Sequence, residues 1–385
     1  MIYLDNNSTT RTDPAVVEAM HPYWSEAFFN PTSLAADLNG IRIPLDLAVG
    51  RLANLLNASP VEFTLTSGAT ESNNWVLQSV ATERLRTTGS CHFLISAIEH
   101  PSIIETAAEL SLRDPRIVVE HVPVDQHGVL DLGALSHMLR PETALVSVML
   151  ANNETGVIQP VADASKRVKA ANPTCLFHTD ATQAVGKIPI DLDGETRQVD
   201  LLSLSAHKFH GPKSIGTLFI RSGAKLESWI HGGAQQRGMR AGTENPALAM
   251  GFAKAVELIG NDEAILARGH RIAKLRNEME AAILTKNPAI EILGAAVPRL
   301  PNTTLLLFPD QEGEMIVHQL LESGIAASTG SACSRGTDQP SHVVTAMGVP
   351  YSKSRNALRL SISSETTQND IRMCIDALAA VFAMS

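Results

Sequence analysis

A lysine stands at the end of an apolar segment, where α/β proteins commonly place reactive groups. Segment 201–204 is largely apolar and is followed by Ser205, His207 and Lys208. Open α/β sheets present their chemistry on polar groups at the ends of such buried strands. Desolvation there lowers an amine's pKa and suits it to attack a carbonyl. For a lysine on its own, a surface position in a turn is the commoner interpretation, so its partners must decide.

A hydroxyl-rich helix start is the first candidate partner. Ala69 and Thr70 open a predicted helix directly after the predicted strand 62–66. The backbone N–H groups of such a helix start can hold a phosphate. A plain capping box, in which Ser67 or Thr70 only satisfies the helix end, explains the same residues equally well.

A carboxylate and a histidine complete the set. Asp180 ends a predicted strand and can stabilise a buried cation, while His100 can stack on a flat ring, although a core histidine is the commoner role. Together these groups specify pyridoxal phosphate. Its ring nitrogen pairs with a carboxylate, its aldehyde forms a Schiff base with a lysine, and its phosphate accepts hydrogen bonds from N–H and hydroxyl groups. Lys187 and Lys213 compete for the aldehyde. Neither directly follows an apolar strand, so Lys208 is the preferred anchor.

The elements that must position these residues alternate between strands and helices. Strands are predicted at 92–96, 117–122, 144–150, 176–178, 201–204 and 216–220, and helices at 14–20, 43–56, 103–112, 132–139 and 161–171. This alternation predicts an α/β fold, with a mainly parallel sheet covered by helices on both faces. Polar residues follow several of the strands and are expected to converge on one crevice.

A chain of 385 residues is too long for one small core. We expect a large cofactor-binding domain over 14–255. A smaller α+β domain is expected from 1–13 and 256–385, with a functional loop at about 326–340. One long helical stretch, 247–286, leads out of the large domain. Strands at 301–308 and 324–327 and a last helix at 367–382 complete the prediction.

Composition excludes several classes of protein. The net charge of −9, without clustered basic residues, argues against direct nucleic-acid binding. The chain shows no signal peptide and no apolar run of membrane-spanning length, so no membrane association is expected. The four cysteines are scattered along the chain, at Cys91, Cys175, Cys333 and Cys374. This spacing predicts neither a disulfide framework nor a metal site and fits a protein in a reducing cytoplasm.

Nine segments, in order and spacing, resemble the cysteine desulfurases of the NifS/IscS-like class, within the class-V aminotransferases. The similarity covers nearly the whole chain. The segments are Tyr3-Leu-Asp-Asn-Asn, Thr66-Ser-Gly-Ala-Thr-Glu-Ser72, Glu99-His100, Asn152-Asn-Glu-Thr-Gly156, His178-Thr-Asp-Ala-Thr-Gln183, Ser205-Ala-His-Lys208, His231-Gly-Gly, Arg240-Ala-Gly-Thr243 and Gly330-Ser-Ala-Cys333.

The resemblance implies the fold-type-I architecture of pyridoxal phosphate enzymes and a homodimer with its active site at the interface. It also implies a role for each matching residue. At the cofactor ring, Lys208 would form a Schiff base, Asp180 would pair with the ring nitrogen, Gln183 would hydrogen-bond the ring hydroxyl, and His100 would stack on the ring and act as proton carrier. The phosphate site would be lined by Ala69, Thr70, Ser205 and His207, and Thr243 would reach the phosphate from the partner subunit. The substrate carboxylate would be bound by Asn153 and Arg359.

Cys333 distinguishes this class from its relatives. A cysteine among small residues is more often a core residue than a nucleophile, but 328–336 is polar and glycine-rich, and Arg335 beside the thiol favours the thiolate. The resemblance implies that Cys333 attacks the sulfur of L-cysteine. The products would be L-alanine and a persulfide that is passed to an acceptor protein, for iron–sulfur assembly or another sulfur pathway. The other three cysteines lie in apolar runs and are interpreted as structural.

Two departures from the family pattern concern residues that the family usually carries outside the cofactor site. Segment 34–40 lacks the histidine that the family usually carries there, and the glycine-arginine usual after Arg359 is replaced by Ile362-Ser-Ser-Glu365. The chain also stops soon after its last helix, which suggests a specialised acceptor such as that of DNA phosphorothioation or tRNA thiolation. Two other functions remain open: another fold-type-I enzyme, such as a selenocysteine lyase or an aminotransferase, and a non-catalytic scaffold.

Overall fold

The computed structural model describes residues 1–330 and 340–383. Within these ranges the strands are β1 (Ile2–Tyr3), β2 (Phe63–Thr66), β3 (Cys91–Ser96), β4 (Ile117–Val122), β5 (Thr143–Ser147), β6 (Leu176–Asp180), β7 (Leu201–Ser205), β8 (Gly216–Ile220), β9 (Glu291–Ile292), β10 (Thr303–Leu307), β11 (Ile325–Ala326) and β12 (Ala357–Ser361). The helices are α1 (Pro14–Met20), α2 (Pro22–Ser25), α3 (Leu34–Leu38), α4 (Ile43–Leu55), α5 (Ala69–Thr87), α6 (Pro101–Arg113), α7 (Leu132–Met138), α8 (Val161–Ala171), α9 (Pro246–Ile259), α10 (Asp262–Lys286), α11 (Gly313–Glu322), α12 (His342–Ala346) and α13 (Gln368–Ala383).

A seven-stranded sheet forms the centre of the fold, in the order β2-β8-β7-β6-β5-β3-β4. Strand β8 runs antiparallel to both β2 and β7, and the remaining pairs are parallel. Strands β3, β5 and β7 are buried along their whole length, as expected for apolar strands covered on both faces. The prediction of a mainly parallel sheet is confirmed.

Helices cover both faces of this sheet. On one face α1, α4 and α9 pack together, and Phe63, Phe177 and Phe252 belong to the core beneath them. On the other face α5 and α6 pack over a second core that contains Trp75 and Phe93. The carboxyl ends of β5, β6 and β7 therefore open at one edge, between two helical layers.

A smaller sheet lies beside the large one. It consists of β9, β10 and β12 in the antiparallel order β12-β10-β9, and β1 pairs separately with β11. Its core contains Leu4 together with residues between Ile272 and Val381. Ile259 and Leu300 belong instead to the core of the large sheet. The predicted domain boundary near residue 255 stays a prediction.

One local prediction is wrong, and one segment without a prediction folds as a short helix. The stretch 247–286 is not one helix, because α9 ends at Gly260 in the left-handed region (φ 78°) and Asn261 begins α10 by accepting a hydrogen bond from the Ala264 amide. The segment without the family histidine folds partly as α3, whose first turn is capped by Ser33. None of the helices in the described part of the chain is long and apolar enough to cross a membrane.

Candidate active site

A cavity of about 280 Å³ opens at the carboxyl edge of the large sheet, between it and the small sheet. Ten residues that the sequence predicts for the site line this cavity: Ala69, Thr70, His100, Asn153, Asp180, Gln183, Ser205, His207, Lys208 and Arg359. Thr243 is exposed and does not line it. Cys333 and Arg335 lie outside the described residues. The cavity thus brings together the residues predicted to hold the cofactor and the two predicted to bind the substrate carboxylate, Asn153 and Arg359.

Lys208 ends the short 3-10 turn Ala206–Lys208 that follows β7. Its Nζ donates to the backbone oxygens of Asn7 and Ser8, each at 2.7 Å, so the N-terminal segment forms the wall behind the amine. The chain turns away at Gly211, where a Cβ would lie only 2.7 Å from the Cβ of Ala206. Glycine at that position lets the loop fold back tightly and leaves the lysine at the cavity edge.

Asp180 is the last residue of β6 and is held at both carboxylate oxygens. Its Oδ2 accepts from Asn73 Nδ2 at 2.8 Å, and its Oδ1 accepts from the Thr182 amide at 2.9 Å. Asn73 lies on α5, one turn beyond the helix start. Hydrogen bonds to the charged form stabilise a carboxylate, so Asp180 is suited to stabilise a cation in the cavity.

Glu99 is a second buried carboxyl close to Asp180. Burial first, and then the charge of Asp180, raises the pKa of Glu99 well above its usual value. Its Oε1 accepts from the Met149 amide at 2.6 Å, while its Oε2 has no partner among the described residues. Two adjacent buried carboxylates repel each other, so the neighbourhood of Asp180 favours the protonated form of Glu99.

His100 caps the start of α6, and its ring lies at the cavity wall. Its Nδ1 accepts from the Ser102 amide at 3.1 Å, which assigns the proton of the neutral ring to Nε2. Burial lowers the pKa of His100 below its usual value, although the nearby Asp180 raises it. The ring is therefore neutral at pH 7 and carries one proton on its free nitrogen.

The start of α5 has the shape of an anion cradle. Gly68 is the N-cap, no side chain caps the helix, and the Ala69 amide donates instead to Ser205 Oγ at 2.7 Å. The plain capping box around Ser67 or Thr70 is therefore wrong. A Cβ on Gly68 (φ 149°) would lie 3.1 Å from Ser205 Oγ and would narrow the cradle.

His207 and Glu71 border the same cradle. The His207 Nδ1 lies 3.0 Å from Thr9 Oγ1, and burial together with Lys208, Lys213 and Lys187 lowers the pKa of His207 to about 4. The ring is therefore a neutral hydrogen-bonding group at pH 7. Glu71 accepts from Arg240 Nε at 2.9 Å and from the Ser67 amide at 2.7 Å, so its charge is already compensated.

Arg359 lies on β12 and faces the cavity from the small sheet. Its Nη1 donates to the backbone oxygens of Asn153 (3.0 Å) and Gly330 (2.6 Å), and its Nη2 donates to Asp5 Oδ1 (2.7 Å) and Ser8 Oγ (2.8 Å). Its Nε is buried and has no acceptor within residues 1–330 and 340–383. The protein itself thus occupies the two Nη groups, and Nε is the donor left for a ligand.

Sequence reasoning missed three residues that shape this cavity. Asn73 reaches Asp180 from the inner face of α5, Glu99 lies behind His100, and Asn7 joins the N-terminal segment to Lys208. Asn73 had a usable signal, since it follows Ala69 by four residues and so lies on the same helix face. The contacts of Glu99 and Asn7 depend on long-range packing, for which the sequence carries no local signal.

The three remaining cysteines behave as structural residues. Cys91, Cys175 and Cys374 are buried and free, and burial raises the pKa of each thiol to about 12. At pH 7 these thiols are protonated and unreactive, as their apolar surroundings predict. In the described part of the chain, no three His, Cys, Asp or Glu side chains are grouped so as to hold a metal ion.

Comparison with known proteins decides the family. The model of the class-V aminotransferases matches residues 2–373. The chain belongs to the class-V aminotransferase family. A cysteine desulfurase of Bradyrhizobium diazoefficiens is 42% identical over 99% of this chain and 94% of its own length. Within the family, the chain therefore belongs to the cysteine desulfurases, enzymes that depend on pyridoxal phosphate.

Solved structures agree with this assignment. A NifS-like protein superposes with a TM-score of 0.91 at 35% identity, covering 100% of both chains. SspA, solved in complex with cysteine, has a TM-score of 0.82 at 28% identity, covering 95% of this chain and all of its own. The predicted fold-type-I architecture is thereby confirmed, as is the choice of a cysteine desulfurase over an aminotransferase or a selenocysteine lyase.

The chemistry of the cavity fits the cofactor of this family. The cradle at Gly68 offers amide and hydroxyl donors for a phosphate, and Asp180 offers a carboxylate that two donors hold in place. Thr182 Oγ1, also in the cavity, is buried without a partner among the described residues. A buried unpartnered hydroxyl costs free energy unless a ligand satisfies it. The residues present therefore fit pyridoxal phosphate.

Proposed function

We propose that this enzyme removes the sulfur atom of L-cysteine, releases L-alanine and leaves a persulfide on Cys333 that an acceptor protein then takes. The observation that carries the proposal is the single cavity that brings Lys208, Asp180 and His100 together with Arg359. Family membership supports the cofactor and the reaction class. The individual residue roles below rest on the geometry of the cavity.

On the cofactor side, Lys208 carries the aldehyde, and Asp180 pairs with the ring nitrogen. Bound pyridoxal phosphate supplies a ring that accepts electrons from the substrate. Gln183 hydrogen-bonds the ring hydroxyl, and His100 lies against the ring. Thr70, Ser205 and His207 would hold the phosphate together with Ala69, whose amide donates to Ser205 Oγ in the present arrangement. These roles are supported because all these side chains line one cavity.

On the substrate side, Arg359 and Asn153 orient the carboxylate of L-cysteine. In the present arrangement Arg359 offers its Nε–H, because Asn153, Gly330, Asp5 and Ser8 accept from its Nη groups. A bidentate grip through two N–H groups requires one of those acceptors, such as Ser8 Oγ, to yield to the substrate. The complex of the related SspA with cysteine supports L-cysteine as the substrate.

Two residues of this chain move protons. Lys208, whose amine would hold the aldehyde of the cofactor, would also accept a proton from the substrate. His100 is neutral at pH 7 and carries its proton on Nε2, so it can donate at one step and accept at the next. The raised pKa of Glu99 favours its protonated form and so lessens the repulsion between this carboxyl group and Asp180.

Cys333 supplies the nucleophile. Its thiolate attacks the sulfur of the bound cysteine, the S–S bond forms, and the C–S bond breaks with its electron pair moving to the carbon. Protonation of that carbon yields alanine, and the sulfur remains on Cys333 as a persulfide. Arg335, two residues further along the chain, favours the thiolate. The buried thiols of Cys91, Cys175 and Cys374, with pKa raised to about 12, are poor substitutes.

Thr243 acts in the cavity of a second copy. It is exposed and absent from the cavity of its own chain. Its loop is fixed beside the cradle, because Gln236 Oε1 accepts from the Leu65 amide at 2.8 Å and Arg240 pairs with Glu71. Cysteine desulfurases are typically homodimers, which places such a loop at an interface.

A cytoplasmic location and an acceptor protein in a sulfur-using pathway complete the proposal.

Three variants test it. Wild type should show the visible absorption of bound cofactor and release sulfide from L-cysteine with a reductant. Cys333→Ala should keep the absorption and lose sulfide release, by roughly 10³-fold or more, as expected for loss of a nucleophile. Lys208→Ala should lose both, and Cys374→Ala, the matched control, should lose neither. Undiminished sulfide release by Cys333→Ala would contradict the proposal.

A further inference from the structure

A second lysine lies behind the cavity wall and has no role in the reaction described above. Lys187 Nζ donates to the Gln183 side-chain oxygen Oε1 and to the Gln183 backbone oxygen, both at 2.9 Å. On the far side of this contact, Lys187 borders a neighbouring cavity of about 140 Å³ that is also lined by Lys208, Arg268 and Ile272. Its amine therefore ends at Gln183 and does not enter the active-site cavity.

Gln183 connects this lysine to the N-terminal segment. Its Nε2 donates to the Asn7 backbone oxygen at 2.9 Å, and that same oxygen accepts from Lys208 Nζ at 2.7 Å. A continuous series of hydrogen bonds thus runs from Lys187 through Gln183 and Asn7 to Lys208. Gln183 lines the cavity in the middle of this series.

The contacts with Lys187 and with the Asn7 backbone oxygen together determine which way the Gln183 amide points. An ammonium can only donate, so the amide atom that faces Lys187 must be the oxygen. The NH₂ group then lies on the side of Asn7 and has one hydrogen left after that contact. Without Lys187, the Asn7 backbone oxygen alone holds the amide in this orientation, and its oxygen loses the donor that anchors it.

A lysine at this position has an electrostatic cost. The charged groups that act on it are Lys208 and Arg359, both positive, and burial with these two charges lowers the pKa of Lys187 to about 7. Half of the molecules therefore hold a neutral amine near pH 7. A neutral amine still donates an N–H to Gln183 Oε1, so the amide orientation persists in both charge states.

We propose that Lys187 is a positioning residue that fixes the side-chain amide of Gln183 with its N–H toward the cofactor ring hydroxyl. The inference rests on the proposed function, because it assigns an acceptor to the remaining hydrogen of Gln183. It predicts that Lys187 affects the cofactor only through Gln183. Lys187 touches neither substrate nor cofactor in this scheme.

A double-mutant cycle with Lys187→Met and Gln183→Leu tests this dependence. The readouts are the affinity of the apo-protein for pyridoxal phosphate and the pH midpoint at which the bound cofactor changes its visible absorption. Each single variant should weaken the affinity roughly five-fold and move the midpoint by about 0.5–1 pH unit, the size of one lost hydrogen bond. In the Gln183→Leu background, adding Lys187→Met should change neither quantity further.

Equal effects of Lys187→Met in both backgrounds would overturn the inference, as would no effect in the wild-type background. Lys169→Met removes a partly buried lysine outside the cavity, which pairs with Asp200, and should leave both readouts unchanged. If Lys187→Met does not fold, Lys187→Gln serves in the same cycle, because its shorter side chain cannot reach both oxygens of Gln183. Failure of the proposed function is distinguishable, since wild type itself would then bind no cofactor.

Discussion

The large sheet and the small sheet supply opposite sides of the cavity in different ways. On the large sheet, Asp180 is the last residue of β6, and its donors come from the next turn and from the start of α5. On the small sheet, Arg359 lies in the middle of β12, and its acceptors come from the N-terminus, the segment after β5 and Gly330. The carboxylate of Asp180 is thus held by elements of the large sheet and its helices, whereas the guanidinium of Arg359 joins distant parts of the chain.

This difference predicts different consequences of mutation. A change on the large-sheet side should alter the chemistry of the cofactor with little effect on how the two sheets are held together. A change at Arg359 should affect substrate binding and stability together, because it is buried, pairs with Asp5 at 2.7 Å and links three segments. Removing one partner of a buried ion pair typically destabilises a protein by about 3–5 kcal/mol.

Among substitutions that compare the two sides of the cavity, the largest effect is expected for Asp180→Asn. The substitution removes the negative charge that faces the cofactor ring nitrogen and should lower kcat by roughly 10²–10³-fold, the usual cost of one electrostatic group in a catalytic site. The fold should tolerate it, since Asn73 Oδ1 is buried without a partner among the described residues and can turn toward the new amide. Steady-state kinetics with L-cysteine measure kcat and KM separately.

A matched control is Asp200→Asn. Asp200 also accepts a backbone hydrogen bond in the large sheet, from the Phe177 amide at 2.6 Å, and pairs with Lys169, but it lies outside the cavity. Its variant should lose stability and keep kcat. If Asp180→Asn raised KM and left kcat unchanged, the assignment of Asp180 to the cofactor side would be wrong.

The next largest effect is expected for Arg359→Lys. A lysine ammonium cannot reach all four acceptors or present an N–H at the position of Nε, so the KM for L-cysteine should rise roughly 10- to 100-fold, the value of one hydrogen bond to a charged group. The visible absorption of the cofactor should not change. Arg276→Lys, which removes a buried arginine that donates to the Leu300 oxygen, should lower stability alone. An unchanged KM in Arg359→Lys would exclude it from substrate binding.

The comparison also explains what sequence reasoning could predict. Asp180, Ser205 and Lys208 were predictable because an apolar run stops beside each of them, which marks the end of a buried strand. The place of Arg359 came only from resemblance to the family, because nothing local in 357–361 indicates that distant segments converge on its guanidinium. Glu99 shows the same limit, since the rise of its pKa follows from burial and from the nearby charge of Asp180.

One missed feature did have a local signal. Gly260 followed by Asn261 is a helix stop followed by a helix start, and the structure uses both residues in those roles. Apolar periodicity on both sides had suggested one continuous helix. The break matters to the architecture because α9 packs on the large sheet, whereas α10 contributes Ile272 and Met279 to the core of the small sheet.

A smaller effect should follow from Gly68→Ala in the anion cradle. Its φ of 149° disfavours a side chain, and the new Cβ would lie 3.1 Å from Ser205 Oγ. We expect roughly five-fold weaker cofactor binding, equivalent to about 1 kcal/mol. Gly50→Ala in α4, where a Cβ meets nothing within 4 Å, is the control and should leave cofactor binding unchanged. Titration of both apo-proteins with pyridoxal phosphate measures the difference in affinity. If Gly68→Ala and Gly50→Ala bound the cofactor equally well, the start of α5 would not be the phosphate site.

The smallest effect at neutral pH is expected in the large sheet itself. His178 on β6 is buried between Ser147 and Ser203, and burial lowers its pKa to about 4. The unfolded chain therefore binds more protons than the folded one between about pH 6.5 and pH 4, so acid destabilises the fold in this window. Between pH 6.5 and pH 5, His178 alone should cost on the order of 2 kcal/mol of unfolding free energy. Urea titrations followed by fluorescence, with Trp75 in this sheet's core as a reporter, measure the loss. In His178→Gln it should shrink by that amount, and an identical pH dependence in both proteins would show that His178 is not the group responsible.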